Sequence, residues 1–269
     1  MRKTNPRKYG VQCNGNWGIL GELIFENWKV IQCKKDLSWY DDITSGLDFG
    51  FGHNTAFHLV GAKKEDIYAL KEYYKPQVTV SDIIKDLKQM FPSVYEIMEE
   101  YKNSLTDELK KNTTMNTFLF LKQKYAAKTQ LEIFSRENLQ PCDIDLEVIC
   151  DEIQEKIGMS YTELPIYADN ARPEAIEEMK RQGFGGIKPC KKGDGSVLEG
   201  IEWMQDRTMY IDESCIGLRN ELESYQWQKD KKTGERLPKP VKVNDDAIDD
   251  FRYSTQPFRN PSYFDASWV

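Results

Sequence analysis

Short runs of apolar, β-branched and aromatic residues dominate the first third of the chain, a pattern that predicts β-strands. Three such segments follow one another at residues 43–52, 55–62 and 67–74. The first ends in a glycine-rich turn, and a charged turn at residues 63–66 separates the last two. Strands joined in this way by short turns pair antiparallel, so the pattern predicts a meander of three strands. A further run at residues 23–31 predicts a strand that leads into the meander.

The pattern changes near residue 76, beyond which apolar residues recur at the spacing of amphipathic helices. Four segments share this spacing and carry many charges: 80–90, 95–102, 105–111 and 117–128. They predict a helical insertion over about residues 76–128. Residues 130–134 alternate polar and apolar side chains, and they predict a strand that returns to the sheet.

Strands and helices alternate in the second half of the chain, which is typical of an α/β fold with parallel strands. The predicted strands are residues 164–168, 185–189 and 208–211. The predicted helices are residues 146–157, 173–182, 196–204 and 214–223. Pro173 suits the first turn of its helix, and Ser196 with Glu199 predicts a capping box at the start of the next.

A β-hairpin and a last helix are predicted near the carboxyl end. Residues 225–228 and 236–241 flank a basic turn and predict the hairpin, and Asn244 is predicted to cap the helix. Together the elements predict an α/β fold, a mixed sheet with helices on both faces and a helical insertion. The strands that carry Asp48 and Asp169 are predicted to be adjacent and parallel.

The composition favours a cytosolic protein with one large domain or slightly more. The chain has 269 residues, of which 39% are hydrophobic and 30% are charged, and this is enough for a substantial core. No apolar run approaches the roughly 18–20 residues of a membrane span, and no secretory signal is recognised. The six scattered cysteines predict reduced thiols rather than a zinc site. The net charge of −7 argues mildly against a general nucleic-acid coat protein.

Acids at three element positions are the strongest candidates for chemistry. Asp48 lies in the first strand of the meander and is followed by Gly50 and Gly52, which leave room for a ligand near the carboxylate. Asp169 ends a later strand, at the edge of the sheet where ligands bind in α/β folds. Asp249 lies in the last helix.

Each acid also has a structural interpretation. A buried carboxylate can be satisfied by hydrogen bonds, and the four acids among residues 245–250 can form a solvated first turn favoured by the helix dipole. Asp246 and Asp249 are three residues apart and share a helix face. Two strand acids and a late helix acid together are more specific, because they can hold two divalent cations for phosphodiester hydrolysis.

Three segments resemble, in order and spacing, the acidic motifs of the nuclease domain of phage terminase large subunits: residues 46–52, 167–174 and 246–253. Four further segments agree with the same family: residues 5–9, 15–18, 185–196 and 221–227. The resemblance covers about residues 1–75 and 130–255, and the helical insertion departs from it.

The resemblance implies a ribonuclease-H-like fold and a metal-dependent endonuclease that cuts concatemeric viral DNA at the start and end of packaging. It implies that Asp48, Asp169 and Asp249 bind two Mg²⁺ or Mn²⁺ ions. Asp246 is a fourth implied catalytic acid, at a position where many relatives carry histidine. The implied partners are double-stranded DNA, the packaging ATPase domain, the small terminase subunit and the portal protein, with no membrane. The implied location is the cytoplasm of the host bacterium.

The domain organisation expected from this resemblance has three parts. Residues 1–40 are the remnant of a linker to an ATPase domain, residues 41–255 are the nuclease domain with its insertion, and residues 256–269 are a tail. The sequence contains no G-x-x-x-x-G-K-[ST] phosphate-binding loop, so no ATPase activity is expected from this chain.

Basic residues cluster in two places that are candidates for contact with DNA. One cluster lies near the expected site and comprises Lys188, Lys191 and Lys192. The other lies in the hairpin and comprises Lys229, Lys231, Lys232, Arg236, Lys239 and Lys242. A solvated surface is the alternative for both clusters. His53 follows the glycine turn and could approach the site, although the sequence favours a polar loop residue there, and His58 is predicted to be structural.

Two other functions remain open on the sequence alone. The chain could be a docking module of the packaging machine with a vestigial site, whose inserted helices form a partner surface. It could also be another ribonuclease-H-like nuclease, such as a junction resolvase or a transposase core, which would use similar acids.

Overall fold

The computed structural model describes residues 23–50 and 52–259. Four parts of the chain lie outside the described residues: the segments 5–9 and 15–18, Phe51 and the tail after residue 259. The chain divides into two compact units. The first contains the described residues of 1–80, 165–181 and 186–269, and the second contains 81–164 and 182–185.

A mixed sheet forms the centre of the first unit. Its strands are β1 Trp28–Ile31, β2 Asp42–Asp48, β3 Asn54–Lys63, β4 Asp66–Pro76, β5 Ile166–Ala168, β6 Ile187–Pro189 and β7 Met209–Asp212. The order of the seven strands across the sheet is β1-β7-β4-β3-β2-β5-β6. β2, β3 and β4 form the predicted antiparallel meander, and all other neighbours pair parallel.

β2 and β5 lie side by side and run parallel, with Leu47 opposite Ala168. Asp48 and Asp169 follow these two residues, and the Asp169 N–H donates to the Leu47 carbonyl at 2.8 Å. Both acids therefore reach the same edge of the sheet, as the prediction of adjacent parallel strands requires. The predicted α/β fold with a mixed sheet is confirmed.

Nine α-helices accompany the strands in the described part of the chain. They are α1 Val80–Met90, α2 Val94–Ser104, α3 Thr113–Thr129, α4 Leu146–Ile157, α5 Pro173–Arg181, α6 Ser196–Gln205, α7 Ile216–Ser224, α8 Asp246–Ser254 and α9 Gln256–Arg259. In the first unit, α8 packs on the sheet, where its residues Ala247, Ile248 and Phe251 are buried with Ala56 and Val60 of β3. This apolar contact fixes the helix that carries the late acids.

Gly46 allows α8 to approach β2 closely. A Cβ atom at this position would lie only 1.8 Å from the carbonyl oxygen of Asp250, so no side chain fits there. Thr44 lies two residues earlier on the same face of the strand, and its hydroxyl donates to the Ser254 carbonyl at 3.1 Å. The last long helix is therefore held directly against the strand that carries Asp48.

The second unit is helical and has a core of its own. Val94 of α2, Leu121 of α3, and Cys150 and Ile153 of α4 are fully buried in this core. The unit extends through residue 164, beyond the 76–128 range predicted for the insertion.

Two predictions of elements in the second unit are wrong. Residues 130–134 are not a strand, because Glu132–Ser135 form a short 3₁₀ helix whose Phe134 packs against the ring of Phe118. A short segment that alternates over so few residues fits either structure, and here the tertiary contact decides. The helix predicted at residues 105–111 is reduced to a 3₁₀ turn at Leu109–Asn112.

Two predicted helix caps are also wrong. The capping box of Ser196 and Glu199 does not form, because Ser196 is already the first residue of α6 and Gly195 precedes it in a left-handed conformation. Asn244 does not cap α8, since Asp245 occupies the position before the helix and makes no side-chain capping hydrogen bond. Asn244 instead turns the chain, with a φ of 51°.

A second, two-stranded sheet confirms the predicted hairpin. β8 Trp227–Lys229 pairs antiparallel with β9 Arg236–Pro240. In the described part of the N-terminal segment, β1 adds an edge strand beside β7, and Leu23 forms an isolated bridge with Gln226.

Among the described helices, none has the length and apolar character that a membrane span would need.

Candidate metal centre

A cleft of about 570 Å³ opens in the first unit where β2 and β5 end and α8 begins. Five acids line the cleft: Asp48, Asp169, Asp245, Asp246 and Asp249. Three basic side chains also line it: His53, Lys192 and Lys242. The structure therefore brings the four acids predicted as catalytic into one cleft.

Asp48 is the most deeply buried of these acids, with 8% of its surface exposed. Burial opposes ionisation of its carboxyl group, and the negative charges of Asp249 and Asp169 oppose it further, which raises the Asp48 pKa to about 8. A carboxyl group in this state gains stability from any cation that replaces its proton. The electrostatics of the cleft therefore favour a bound cation next to Asp48.

Asp169 is held ionised by its neighbours. Burial opposes its ionisation, but hydrogen bonds from the Lys192 ammonium and from the Ala171 N–H outweigh burial and lower the Asp169 pKa. The Ala171 N–H lies 2.9 Å from its Oδ1, and Lys192 forms an ion pair with the same oxygen. A hydrogen bond with Asp48 contributes to the lowered pKa, so these two carboxyl groups are in contact.

Asp249 is paired with two basic side chains. Nη2 of Arg252, one turn further along α8, lies 2.9 Å from Oδ1 of Asp249. The guanidinium of Arg252 is almost fully buried, so this ion pair fixes the orientation of the carboxylate. Lys242 lies 3.9 Å from the other carboxylate oxygen of Asp249.

Asp246 is engaged by the loop between β2 and β3. Nδ1 of His53 lies 2.6 Å from Oδ1 of Asp246, and the Asn54 N–H donates to Oδ2 at 3.3 Å. Burial raises the Asp246 pKa, and the neighbouring Asp249 adds to this, while His53 and Asn54 oppose it. The β2–β3 loop and the first turn of α8 therefore meet at this acid.

His58 lies fully buried beside α8, between two carboxylates. Its Nδ1 is 2.9 Å from Asp250 and its Nε2 is 2.9 Å from Glu72. Burial opposes protonation of the ring, but the carboxylates outweigh it and raise the His58 pKa to about 10. Glu72 also accepts the N–H groups of Gly217 and Leu218 at 2.8 and 2.7 Å. This network ties β3, β4, α7 and α8 together.

Lys191 and Lys192, which are predicted to contact DNA beside β6, differ in their position relative to the cleft. Lys192 lies in the cleft against Asp169, and its ammonium is 5.1 Å from the centre of the Tyr253 ring. Lys191 is not among the residues that line the cleft, and its backbone N–H donates to the Gln256 side chain at 2.9 Å.

The basic residues of the hairpin lie outside the cleft. Lys229 ends β8, Arg236 begins β9, and Lys231 and Lys232 lie in the turn between them. The Arg236 guanidinium stacks 4.5 Å above the Trp227 ring. The segment that follows β9 leads into the cleft, where it contributes Lys242, which the sequence predicts as part of the basic hairpin.

The donor atoms in the cleft suit a divalent cation. Among the described residues, one set of potential metal-binding side chains has donor atoms that all lie within 4.8 Å of one another: those of Asp48, His53 and Asp246. Carboxylate oxygens with at most one imidazole nitrogen are ligands that Mg²⁺ and Mn²⁺ accept. Asp169 and Asp249, the other two predicted ligands, line the same cleft and are paired with Lys192 and Arg252.

His53 is the residue of this set that the sequence does not identify, because it favours a polar loop residue at this position. The available signal is its place directly after Gly50 and Gly52, which let the chain turn back toward Asp48. Asp245 is a second cleft residue that the sequence leaves without a role.

Comparison with known proteins finds a family model that matches part of the chain. Residues 146–256 match the model of the terminase RNAseH-like domain family. The predicted resemblance to terminase nuclease domains is confirmed. The matched segment contains Asp169, Asp246 and Asp249, whereas Asp48 lies before it.

Two solved structures share the fold. The nuclease domain of the large terminase from the bacteriophage SPP1, solved with bound Mn, is 20% identical, with a TM-score of 0.55, and the match covers 88% of this chain and 99% of that one. The large terminase of a thermophilic bacteriophage, solved in complex with ADP, is 18% identical, with a TM-score of 0.50 over 88% of this chain. The match covers 45% of that protein, so the present chain spans less than half of it. A comparison with curated proteins finds no match.

Proposed function

We propose that this chain is a metal-dependent endonuclease that cuts concatemeric double-stranded DNA during viral genome packaging. The observation that carries the proposal is the convergence of Asp48, Asp169, Asp246 and Asp249 on one cleft. The family match over residues 146–256 supports the same function. The acids lie at the end of β2, directly after β5 and on α8, so regular elements of the fold hold them together.

Asp48, Asp169 and Asp249 would hold two Mg²⁺ or Mn²⁺ ions, and Asp246 completes the set of acids. When bound, such ions activate a water molecule and stabilise the leaving oxygen of the phosphodiester. With a cation bound, the Asp48 carboxyl group, which contacts Asp169, would be ionised and stabilised by the charge of the cation. Arg252 keeps the Asp249 carboxylate in a fixed orientation toward the cleft.

Lys192 and Lys242 supply positive charge beside the acids. Each is paired with an acid of the cleft, Lys192 with Asp169 and Lys242 with Asp249. With a cation bound at the acids, the ammonium groups of Lys192 and Lys242 would bind the phosphate oxygens of DNA. With Lys191 and the hairpin residues, they would form the surface that positions the DNA backbone.

The partners proposed for the whole assembly are double-stranded DNA, the packaging ATPase domain, the small terminase subunit and the portal protein. The large terminase of the thermophilic bacteriophage, more than twice the length that this chain matches, supports an association with a further domain. The assembly would act in the cytoplasm of the host bacterium, and ATP hydrolysis is not proposed for this chain.

Plasmid cleavage tests the proposal. We expect the protein to cut supercoiled and linear double-stranded DNA with Mn²⁺ or Mg²⁺ and to lose this activity in chelator. Asp48→Asn should abolish cleavage because the amide keeps the shape of the side chain and loses its charge. Asp107→Asn is the matched control, since that acid is exposed and lies in the second unit.

The outcomes separate the alternatives. Preference for branched DNA would favour a junction resolvase, and no cleavage of any substrate with either metal would favour a docking module. Full activity in chelator, or in Asp48→Asn, would mean that the acids are structural and that the proposed mechanism is wrong.

A further inference from the structure

We infer that His53 is a metal ligand of this centre, which gives the site one imidazole nitrogen in addition to its carboxylates. The inference rests on the proposed function, because the cation is the one that the nuclease would use. Neither the order of the acidic motifs nor the charge pattern of the chain assigns this role to His53.

The positions of the donor atoms carry the inference. The donor atoms of Asp48, His53 and Asp246 lie within 4.8 Å of one another. Two ligands of one divalent cation, each roughly 2.1 Å from it, lie no more than about 4.2 Å apart. A shift of about half an ångström in side chains that border an open cleft would therefore bring all three donors onto one ion.

The loop that carries His53 is fixed on both sides of this residue. The Gly50 N–H donates to Oγ1 of Thr55 at 3.1 Å, and the Thr55 hydroxyl donates to the Gly50 carbonyl at 2.7 Å. The Asn54 N–H binds Asp246, and the Asn54 side chain donates to the Tyr74 hydroxyl at 2.9 Å. These bonds present the ring to the first turn of α8 without requiring a change in the loop.

Gly50 is part of this arrangement. A Cβ atom at Gly50 would lie 2.1 Å from the Asn54 carbonyl oxygen and 2.8 Å from Nδ1 of His53. Only glycine therefore allows the loop to close in this conformation.

The chain has two histidines, and the other, His58, is bound to two carboxylates outside the cleft. Both ring nitrogens of His58 are occupied, one by Asp250 and one by Glu72, and the ring is fully buried. The side chain of His53 is 59% exposed and borders the cleft, so it can exchange its contact with Asp246 for a shared cation. His53 is thus the imidazole that the site can use.

The nitrogen donor has a consequence for metal preference. Mg²⁺ binds oxygen ligands, whereas Mn²⁺ and the later divalent metals bind imidazole more readily. His53→Gln should therefore weaken Mn²⁺ binding, by about tenfold or more, and should weaken Mg²⁺ binding less. Titration calorimetry of the full chain with each metal alone measures both affinities without any DNA cleavage.

Electron spin echo spectroscopy of the Mn²⁺-loaded chain tests the bond itself. We expect modulation from one directly bound ¹⁴N nucleus, which changes on selective ¹⁵N-histidine labelling and disappears in His53→Gln. With two histidines in the sequence, ¹⁵N spectra of the labelled protein provide a second measurement, in which Mn²⁺ should broaden the His53 ring signals first.

Two results would overturn the inference: no nitrogen coupling in the Mn²⁺-loaded wild type, or an unchanged Mn²⁺ affinity in His53→Gln. Either would leave the contact between His53 and Asp246 as a simple ion pair. Metal-dependent cleavage without nitrogen coupling would refute the role of His53 and leave the nuclease proposal intact. Nitrogen coupling without cleavage of any DNA would support the role of His53 and refute the nuclease proposal.

Discussion

Asp48 is the most deeply buried acid of the cleft. The carboxyl group is buried among other acids, and its pKa is raised to about 8 while that of the contacting Asp169 is lowered. The two carboxyl groups therefore behave as a pair that retains one proton to unusually high pH. The sequence predicts that both acids share a site, because each ends a strand of an α/β sheet. It does not predict Lys192 or His53 as their contacts, since loop conformation decides those positions.

The raised pKa of Asp48 predicts how stability depends on pH in chelator. Between the unfolded pKa of an aspartate, about 3.9, and the folded value, the folded state binds more protons than the unfolded state. The free energy of unfolding should therefore fall as pH rises through this window, and Asp48→Asn should flatten that fall. Denaturant unfolding at pH 5 and pH 9 measures it, and Mn²⁺ should restore the stability of the wild type at pH 9. Equal pH profiles for wild type and Asp48→Asn would contradict the raised pKa.

At the scale of elements, α8 and β2 are in direct backbone contact. α8 carries Asp246 and Asp249, and its backbone rests on Gly46, two residues before Asp48. The sequence predicts both elements and the helix face that the acids share. It does not predict this close contact, because a glycine in a strand has several possible causes. The segment at residues 130–134 shows the same limit, since its alternation is compatible with a strand and its packing is not.

Gly46→Ala should displace α8 and destabilise the fold by about 3 kcal/mol or more, because the added methyl group meets backbone rather than a flexible side chain. Gly193→Ala is the matched control, since a Cβ atom there meets nothing within 4 Å and should leave stability almost unchanged. Chemical denaturation of both variants measures the difference. Similar stabilities for the two variants would show that α8 does not depend on contact with Gly46.

At the scale of the whole molecule, positive charge is local in an acidic chain. The net charge is −7, yet basic side chains cluster on the hairpin, and the segment after it leads Lys242 into the acidic cleft. The sequence predicts the hairpin and its charge. It does not predict the extent of the second unit, which continues to residue 164 because α4 shares the core of α2 and α3.

Charge reversal of Lys231 and Lys232 to glutamate should weaken DNA binding. Each lost phosphate contact removes about 0.9 from the slope of log affinity against log salt, so two contacts remove roughly 1.8. Fluorescence anisotropy with a duplex at several salt concentrations measures the slope. Charge reversal of Lys110 and Lys111 in the second unit is the control, and equal slopes for wild type and the hairpin variant would show that the hairpin only adds solubility.

Asp169→Asn tests whether the converging acids perform metal-dependent DNA cleavage. Cleavage of a plasmid with Mn²⁺ and binding of the same DNA should be measured on the same preparations of wild type and variant. We expect the variant to bind DNA like the wild type, to remain folded and to cut no DNA. Cleavage by Asp169→Asn at the wild-type rate would contradict metal-dependent cleavage by these acids.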